Sequence, residues 1–235
     1  MVKCLAGSTS TEATDPNFAN VNLLLHGDGT NGGTTFTDSS SKVHTQTYSA
    51  GATTSTVVSD AFGGSSILLN GTSGDVLAPS STDFALSTGD FTIECRFRCT
   101  NKAKSNAAVI DFRVSGGGGS QVKPTLFISS GTLYFMVSGG YPTSVSISDN
   151  TWYHVAISRI SGVTKTFLDG TQFGSNYTDA NNYGTAANDF VIGEIGDNRA
   201  FDGFFPGNIE EIRITKGVGR YSSNFTKPAV AFPNS

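Results

Sequence analysis

The sequence predicts an all-β domain folded as a two-sheet antiparallel jelly-roll sandwich, and three observations carry that expectation. Short apolar runs recur at intervals of roughly 8–20 residues with Gly, Asn or Asp at the joints, the spacing of a sandwich or barrel. No window of eleven or more residues holds a helical period. Only 14% of residues are charged, and 28 of 235 are glycine, against averages of roughly 25% and 7%. The polar surface is therefore built mainly from Ser, Thr, Asn and Gly, as in turn-rich β proteins.

Taken in order, residues 1–17 lack apolar periodicity and read as a short flexible N-terminal arm, a candidate docking segment. Residues 18–235 read as one domain, since sandwiches commonly exceed 200 residues without dividing. The predicted strands are 21–26, 43–48, 66–69, 76–78, 91–98, 108–114, 125–128, 133–137, 152–159, 164–168, 190–192 and 209–215. In the 91–98 strand Phe91, Ile93, Cys95 and Phe97 share one face. Thr92, Glu94, Arg96 and Arg98 share the other, which the alternation assigns to solvent. Asp169-Gly170 supplies the positive φ values of a tight hairpin turn. The 152–159 strand is apolar on both sides and should be central in its sheet. Along the last strand, Glu210 is in phase with Ile212 and Ile214, so an inward carboxylate in need of a partner is expected there.

Composition also excludes. The formal charge is −4 and no block of Lys or Arg stands out, so nucleic acid is not an expected partner. No apolar run reaches the ~18–20 residues of a membrane span. Residues 1–7 carry one charge and almost no apolar core, so a Sec signal is not expected. Cys95 and Cys99, four apart on one strand, lie about 13 Å from each other and cannot be bridged, so buried free thiols are expected.

Several segments in order resemble a known family: 21–30, 35–40, 62–66, 88–94, 151–159, 167–170, 207–215 and 220–228. Together they resemble the laminin-G-like, pentraxin-like branch of the concanavalin A-like lectin/glucanase jelly rolls. The ending Arg220-Tyr221-x-x-Asn224-Phe225-Thr226 is similar to versions in tailed-phage virion proteins. The resemblance implies a concanavalin A-like sandwich on a virion surface, made in the host cytoplasm, as a tail-fibre adhesin or capsid decoration module. Its partners would be other virion proteins through the arm, a host surface glycan, and further copies of itself in a homo-oligomer. The alternatives are a purely structural or assembly protein without ligand, and a glycan hydrolase.

Chemistry is sparse. A glycan hydrolase needs two carboxylates about 5–9 Å apart across a cleft, and Glu210 and Glu211, being adjacent, are expected on opposite sides of their strand. His26, His44 and His154 read as structural, and none lies at metal-ligand spacing from another. No catalytic residue is expected. For a metal, hard cations take carboxylate, amide and carbonyl oxygens. Asp28, Asn31, Asp38 and Glu210 make the candidate set, and the resemblance points to calcium. The alternative is that Asp28 and Asp38 hydrogen-bond their own turns. For a glycan, aromatic rings beside amides and carboxylates are required. Asn176, Tyr177, Asp179, Asn182 and Tyr183 have that composition, as do Asp197, Asn198 and Arg199. Phe204 and Phe205 are expected to pack into the core.

Overall fold

The structure, a computed structural model, describes residues 14–60, 62, 64–116, 118, 120–196 and 203–235. Among the described residues, fifteen strands form two antiparallel sheets. They are β1 (Val21–Leu25), β2 (Thr47–Tyr48), β3 (Ala52–Ser55), β4 (Ser66–Asn70), β5 (Val76–Ser81), β6 (Phe91–Cys99), β7 (Ala107–Asp111) and β8 (Thr125–Ser129). The remainder are β9 (Thr132–Val137), β10 (Gly140–Ser146), β11 (Trp152–Ile160), β12 (Val163–Leu168), β13 (Thr171–Thr178), β14 (Asn188–Ile192) and β15 (Pro206–Lys216). One sheet runs β13-β12-β11-β6-β15-β4-β3, with β1 also paired to β15; the other runs β10-β9-β8-β7-β14-β5-β2.

The inward faces meet in one core. Ile93, Cys95 and Phe97 of β6 face Val109, Phe135 and Phe190 of the other sheet in a single buried cluster. Phe112 and Phe190 stack there with centroids 4.5 Å apart. Cys95 and Cys99 are free and buried, and burial raises the Cys99 thiol to about 11. The strand at 152–159 lies between β12 and β6, away from any edge.

The last strand departs from its expected phase. Between Glu210 and Arg213 the register against β6 shifts, and Glu211 takes φ +50°. The bulge places one extra residue on this strand. Ile209, Ile212 and Ile214 stay in the core, while Glu210 and Glu211 both turn outward. Glu210 is thus not inward, and the two carboxylates are not on opposite sides. Each holds backbone: Glu210 accepts from the Asp60 N–H at 3.1 Å, and Glu211 from the Phe232 N–H at 2.7 Å. Burial pushes the Glu210 carboxyl up to about 7, with the Asp60 N–H opposing that rise.

A second correction concerns the polar face of β6. Thr92, Glu94 and Arg96 are buried, because residues 217–235 return across the outer face of the eight-stranded sheet. Glu94 accepts from Arg213 Nε at 2.9 Å, Tyr221 Oη at 2.8 Å and His154 Nε2 at 3.1 Å. Asp15, within the segment read as an arm, is itself buried and takes Arg220 Nη2 at 2.7 Å and Arg213 Nη1 at 3.1 Å. Burial alone would raise Glu94, but Arg213, His154 and Arg220 more than offset it and hold the carboxyl at about 2. The ending motif is therefore the clasp of this cover. Arg220 binds Asp15, and Tyr221 stacks on Phe225 at 3.7 Å. Asn224 accepts from the Gln172 N–H at 2.8 Å. Asp169 (φ +49°) and Gly170 (φ +79°) make the predicted hairpin turn. A Cβ on Gly170 would lie 2.0 Å from the Phe225 carbonyl oxygen, so glycine there also admits the tail.

The histidines serve this architecture. His26 Nδ1 meets Glu211 at 2.7 Å. Burial would lower the His26 imidazole, but Glu211, with Asn234 and Asp28, raises it to about 9. His44, expected in a strand, lies before β2 and meets Asp83 at 3.1 Å.

Candidate functional site

With much of the eight-stranded sheet covered by the tail, the outer face of the seven-stranded sheet is the broader candidate surface for a ligand. Alternation along β8 and β9 sends Leu126, Ile128, Leu133 and Phe135 into the core. Phe127, Tyr134 and Met136 are left on the opposite side, and apolar side chains line both faces of these strands. Phe127 and Tyr134 are directly opposite across the β8–β9 ladder and stack with centroids 5.2 Å apart and planes 16° apart. Tyr141 of β10 leans on both, 5.9 Å from Phe127 and 5.5 Å from Tyr134, with 59% of its surface open to solvent. Three rings thus form a platform whose outermost member is exposed.

The chain leaving β14 crosses the middle of this face. Ile195 packs against Ala108, Phe127 and Met136. Asp111 fixes the crossing: its carboxylate takes Arg113 Nη2 at 2.6 Å, Thr125 Oγ1 at 2.8 Å and the Gly196 N–H at 2.9 Å. Beyond the crossing, at the β5–β2 end, an open cleft of about 400 Å³ is lined by Leu77, Phe204, Tyr48, Asp75 and Glu194 among others. Leu77 alternates with the core residues Val76 and Ala78, which places it on the outer side. Phe205 is in the core as expected, but Phe204 is only half-buried and lines this cleft.

The residues singled out from sequence lie elsewhere. Asn176 and Tyr177 belong to β13, an edge strand of the other sheet, and do not sit in a loop. Asn176 is exposed beside Lys165 and Tyr221, in a pocket of about 230 Å³. Tyr177 packs against the core and its hydroxyl accepts from Asn181 Nδ2 at 3.1 Å. Asp179 and Tyr183 are buried: Asp179 Oδ2 accepts from Tyr183 Oη at 2.7 Å and Thr164 Oγ1 at 2.7 Å, beside Arg159. These two brace β11, β12 and the following turn and have no surface for a ligand. Asn182 caps its own turn through the Gly184 N–H at 2.9 Å. Asp197, Asn198 and Arg199 lie outside the described residues.

The four candidate metal ligands do not converge. Both Asp38 oxygens are engaged by backbone, accepting from the Leu24, Ser40 and His44 N–H groups at 2.8–2.9 Å. Asn31 accepts from the Thr56 N–H at 3.2 Å, Asp28 from Ser65 Oγ at 3.4 Å, and Glu210 serves Asp60. Among the described residues, no three His, Cys, Asp or Glu side chains are grouped to hold a metal.

Comparison with known proteins follows the topology. Residues 70–218 match the family Laminin_G_3, described as the concanavalin A-like lectin/glucanases superfamily. The chain belongs to this superfamily. No curated protein matches it in sequence. Among solved structures, this superfamily member is similar to domain 4 of AbnA, a GH43 extracellular arabinanase from Geobacillus stearothermophilus, in complex with arabinotriose. That likeness has a TM-score of 0.58 at 17% identity, over 85% of this chain and 94% of that one. It is similar to the botulinum neurotoxin serotype G binding domain (TM-score 0.60, 13% identity, 88% of this chain, 49% of that one). A third is the Trypanosoma rangeli sialidase in complex with 2,3-difluorosialic acid (TM-score 0.63, 15% identity, 87% and 32%). The chain spans about half of the neurotoxin domain and a third of the sialidase. At these identities the likeness is one of fold.

Phe127 and Tyr134 were not among the sequence candidates, although a signal was present. An antiparallel strand with one solvated face should alternate, and Leu133-Tyr134-Phe135-Met136 does not.

Proposed function

We propose that this concanavalin A-like domain is a non-catalytic carbohydrate-binding module, displayed on a bacteriophage particle as a tail-fibre adhesin or capsid decoration protein. The observation that carries the binding half is the exposed Tyr141 ring, backed by the Phe127–Tyr134 stack on the outer face of the seven-stranded sheet. The C–H face of a sugar is apolar and packs on an aromatic ring, and rings already braced by neighbours lose little freedom on binding. Two of the similar structures agree with this chemistry: one holds arabinotriose, another is a toxin's binding domain. Glu210 and Glu211 share a face, but both are buried beneath the tail and committed to backbone, which argues against hydrolysis there. The particle half is supported by the resemblance of Arg220–Thr226 to endings of tailed-phage proteins.

Glycan-array binding tests the first half. Wild-type protein at high concentration should select one or a few glycans, and Tyr141→Ala should weaken that binding at least tenfold, about 1.4 kcal/mol, without moving the melting temperature. A wild-type protein that selects no glycan refutes the reading. For the second half, deleting residues 1–13 is the appropriate arm deletion, because Asp15 is part of the folded domain. Loss of incorporation into particles, with melting unchanged, is expected. Full incorporation removes the docking role.

A further inference from the structure

The cleft at the β5–β2 end carries a feature that the platform lacks. Asp75 is 7% exposed, lines the cleft, and its carboxylate accepts no hydrogen bond from any described residue. An ionised carboxylate can only accept, and one without protein donors at the wall of a cleft is left to water or to a ligand. The deeply buried carboxylates of Glu94, Asp111 and Asp179 each have two or more protein donors. Asp75 leaves its acceptors for whatever enters the cleft.

The walls are rigid. The Asp75 N–H donates to Ser49 Oγ at 3.0 Å, and the Ser49 N–H donates to the Asp75 carbonyl at 3.1 Å. Ser49 Oγ in turn donates to the Ser73 carbonyl. Asn70 Oδ1 gathers the Thr72, Ser73 and Gly74 N–H groups at 2.9–3.2 Å. The turns at 48–51 and 70–75 press together through two glycines: a Cβ on Gly74 would lie 2.3 Å from the Gly51 carbonyl oxygen. A site held this way is formed before its ligand arrives. Leu77 and Phe204 supply an apolar wall beside the carboxylate. The lining contains no Lys or Arg among the described residues, and Glu194 adds a second acid.

We propose that this cleft is the specificity subsite of the module, in which Asp75 accepts hydrogen bonds from hydroxyls of a neutral sugar while Leu77 and Phe204 cover its C–H face. Acidic sugars are disfavoured, since a uronate or sialate carboxylate would face Asp75, and no Lys or Arg is among the cleft's described lining. The inference rests on the glycan-binding reading and adds to it where and how the sugar is chosen.

The test measures binding of full-length protein to immobilised neutral oligosaccharides and, in parallel, to polygalacturonate and polysialic acid, with calcium and with a chelator. Binding only to neutral glycans, unaffected by chelator, is expected. Asp75→Asn keeps the shape but replaces an acceptor by a donor, and should weaken binding at least tenfold with melting unchanged. Leu77→Ser, on the apolar wall, should weaken the same ligands. Asp75→Asn binding as wild type does, while Tyr141→Ala fails, overturns the subsite and leaves the glycan reading standing. Acidic glycans binding as well as neutral ones, or binding lost with chelator, also overturns it. No glycan binding at all removes both.

Discussion

Glu94→Gln is expected to cost about 3–5 kcal/mol of folding stability, the loss seen when one partner of a buried ion pair is removed and its charge is left behind. Glu94 is 1% exposed at the centre of a network in which Arg213, His154 and Tyr221 all converge on it. Glutamine preserves volume and one acceptor but leaves the Arg213 guanidinium, itself deeply buried, with Asp15 alone. At roughly 2–4 °C per kcal/mol for a domain of this size, the melting temperature should fall by about 10 °C. The sign with pH is fixed by the direction of the shift. The folded carboxyl sits near 2, below its ordinary 4.5, so its contribution is full above 4.5 and is lost as pH falls toward 2. That window is worth about 3 kcal/mol at 1.36 kcal/mol per unit. Wild-type stability should therefore decline between pH 4.5 and 2, and Glu94→Gln should flatten this part of the decline. Adding Arg213→Met to Glu94→Gln should recover part of the loss, because the pair is costly chiefly when half-removed. Calorimetry of the three proteins checks this; equal acid limbs in wild type and Glu94→Gln would refute the account.

The strands legible in the sequence and those that were not differ in one physical respect. β6, β11 and β15 are interior to their sheet and buried, so their apolar residues announce them. The strands not foreseen, β3, β10 and β13, all lie at sheet edges. An edge strand tolerates Ser, Thr and even proline, as Pro142 in β10 shows. Its polar composition reads as loop, and Asn176 and Tyr177 lie in one such strand. The predicted strand at 43–48 shrank to Thr47–Tyr48 for the same reason, at the opposite edge.

The polar face of β6 shows a different limit. Alternation says which residues lie opposite the core; it does not say whether solvent or another stretch of chain lies there. Glu94 and Arg96 read as solvated because nothing local reveals that Arg220, Tyr221 and Pro228, more than a hundred residues away, will cover them. The bulge at Glu211 did leave a trace. Ile209 and Ile212 are three apart where a plain strand would have them two apart, and that slip marks the extra residue. The candidate site was half legible. The apolar run at 133–136 betrays outward aromatics, whereas the Asp75 cleft is assembled by two distant turns meeting at Gly51 and Gly74, a closeness no local pattern encodes.

Deleting residues 220–235 is expected to have the larger effect, leaving a chain that no longer melts cooperatively at 25 °C. The deletion removes Tyr221 and Phe225, which stack on each other and pack edge-on to Phe167, and Phe232, which covers Val21 and Leu24 beneath Arg213. Truncating one large buried aromatic such as Phe232 costs about 3–5 kcal/mol, and the half-buried Tyr221 and Phe225 add to it. Asp15 loses Arg220, Glu94 loses Tyr221, and Glu211 loses the Phe232 N–H, so buried polar groups are stranded as well. The total exceeds the roughly 5–15 kcal/mol by which a domain is ordinarily stable. Loss of near-ultraviolet dichroism and of a calorimetric transition would record the outcome. Phe232→Ala provides the graded case: it should remain folded but melt well below wild type, with glycan binding at 4 °C retained, because the aromatic platform lies on the opposite sheet. A deletion protein that melts cooperatively within a few degrees of wild type would show that the tail merely overlies a sheet whose charged face is stable by itself.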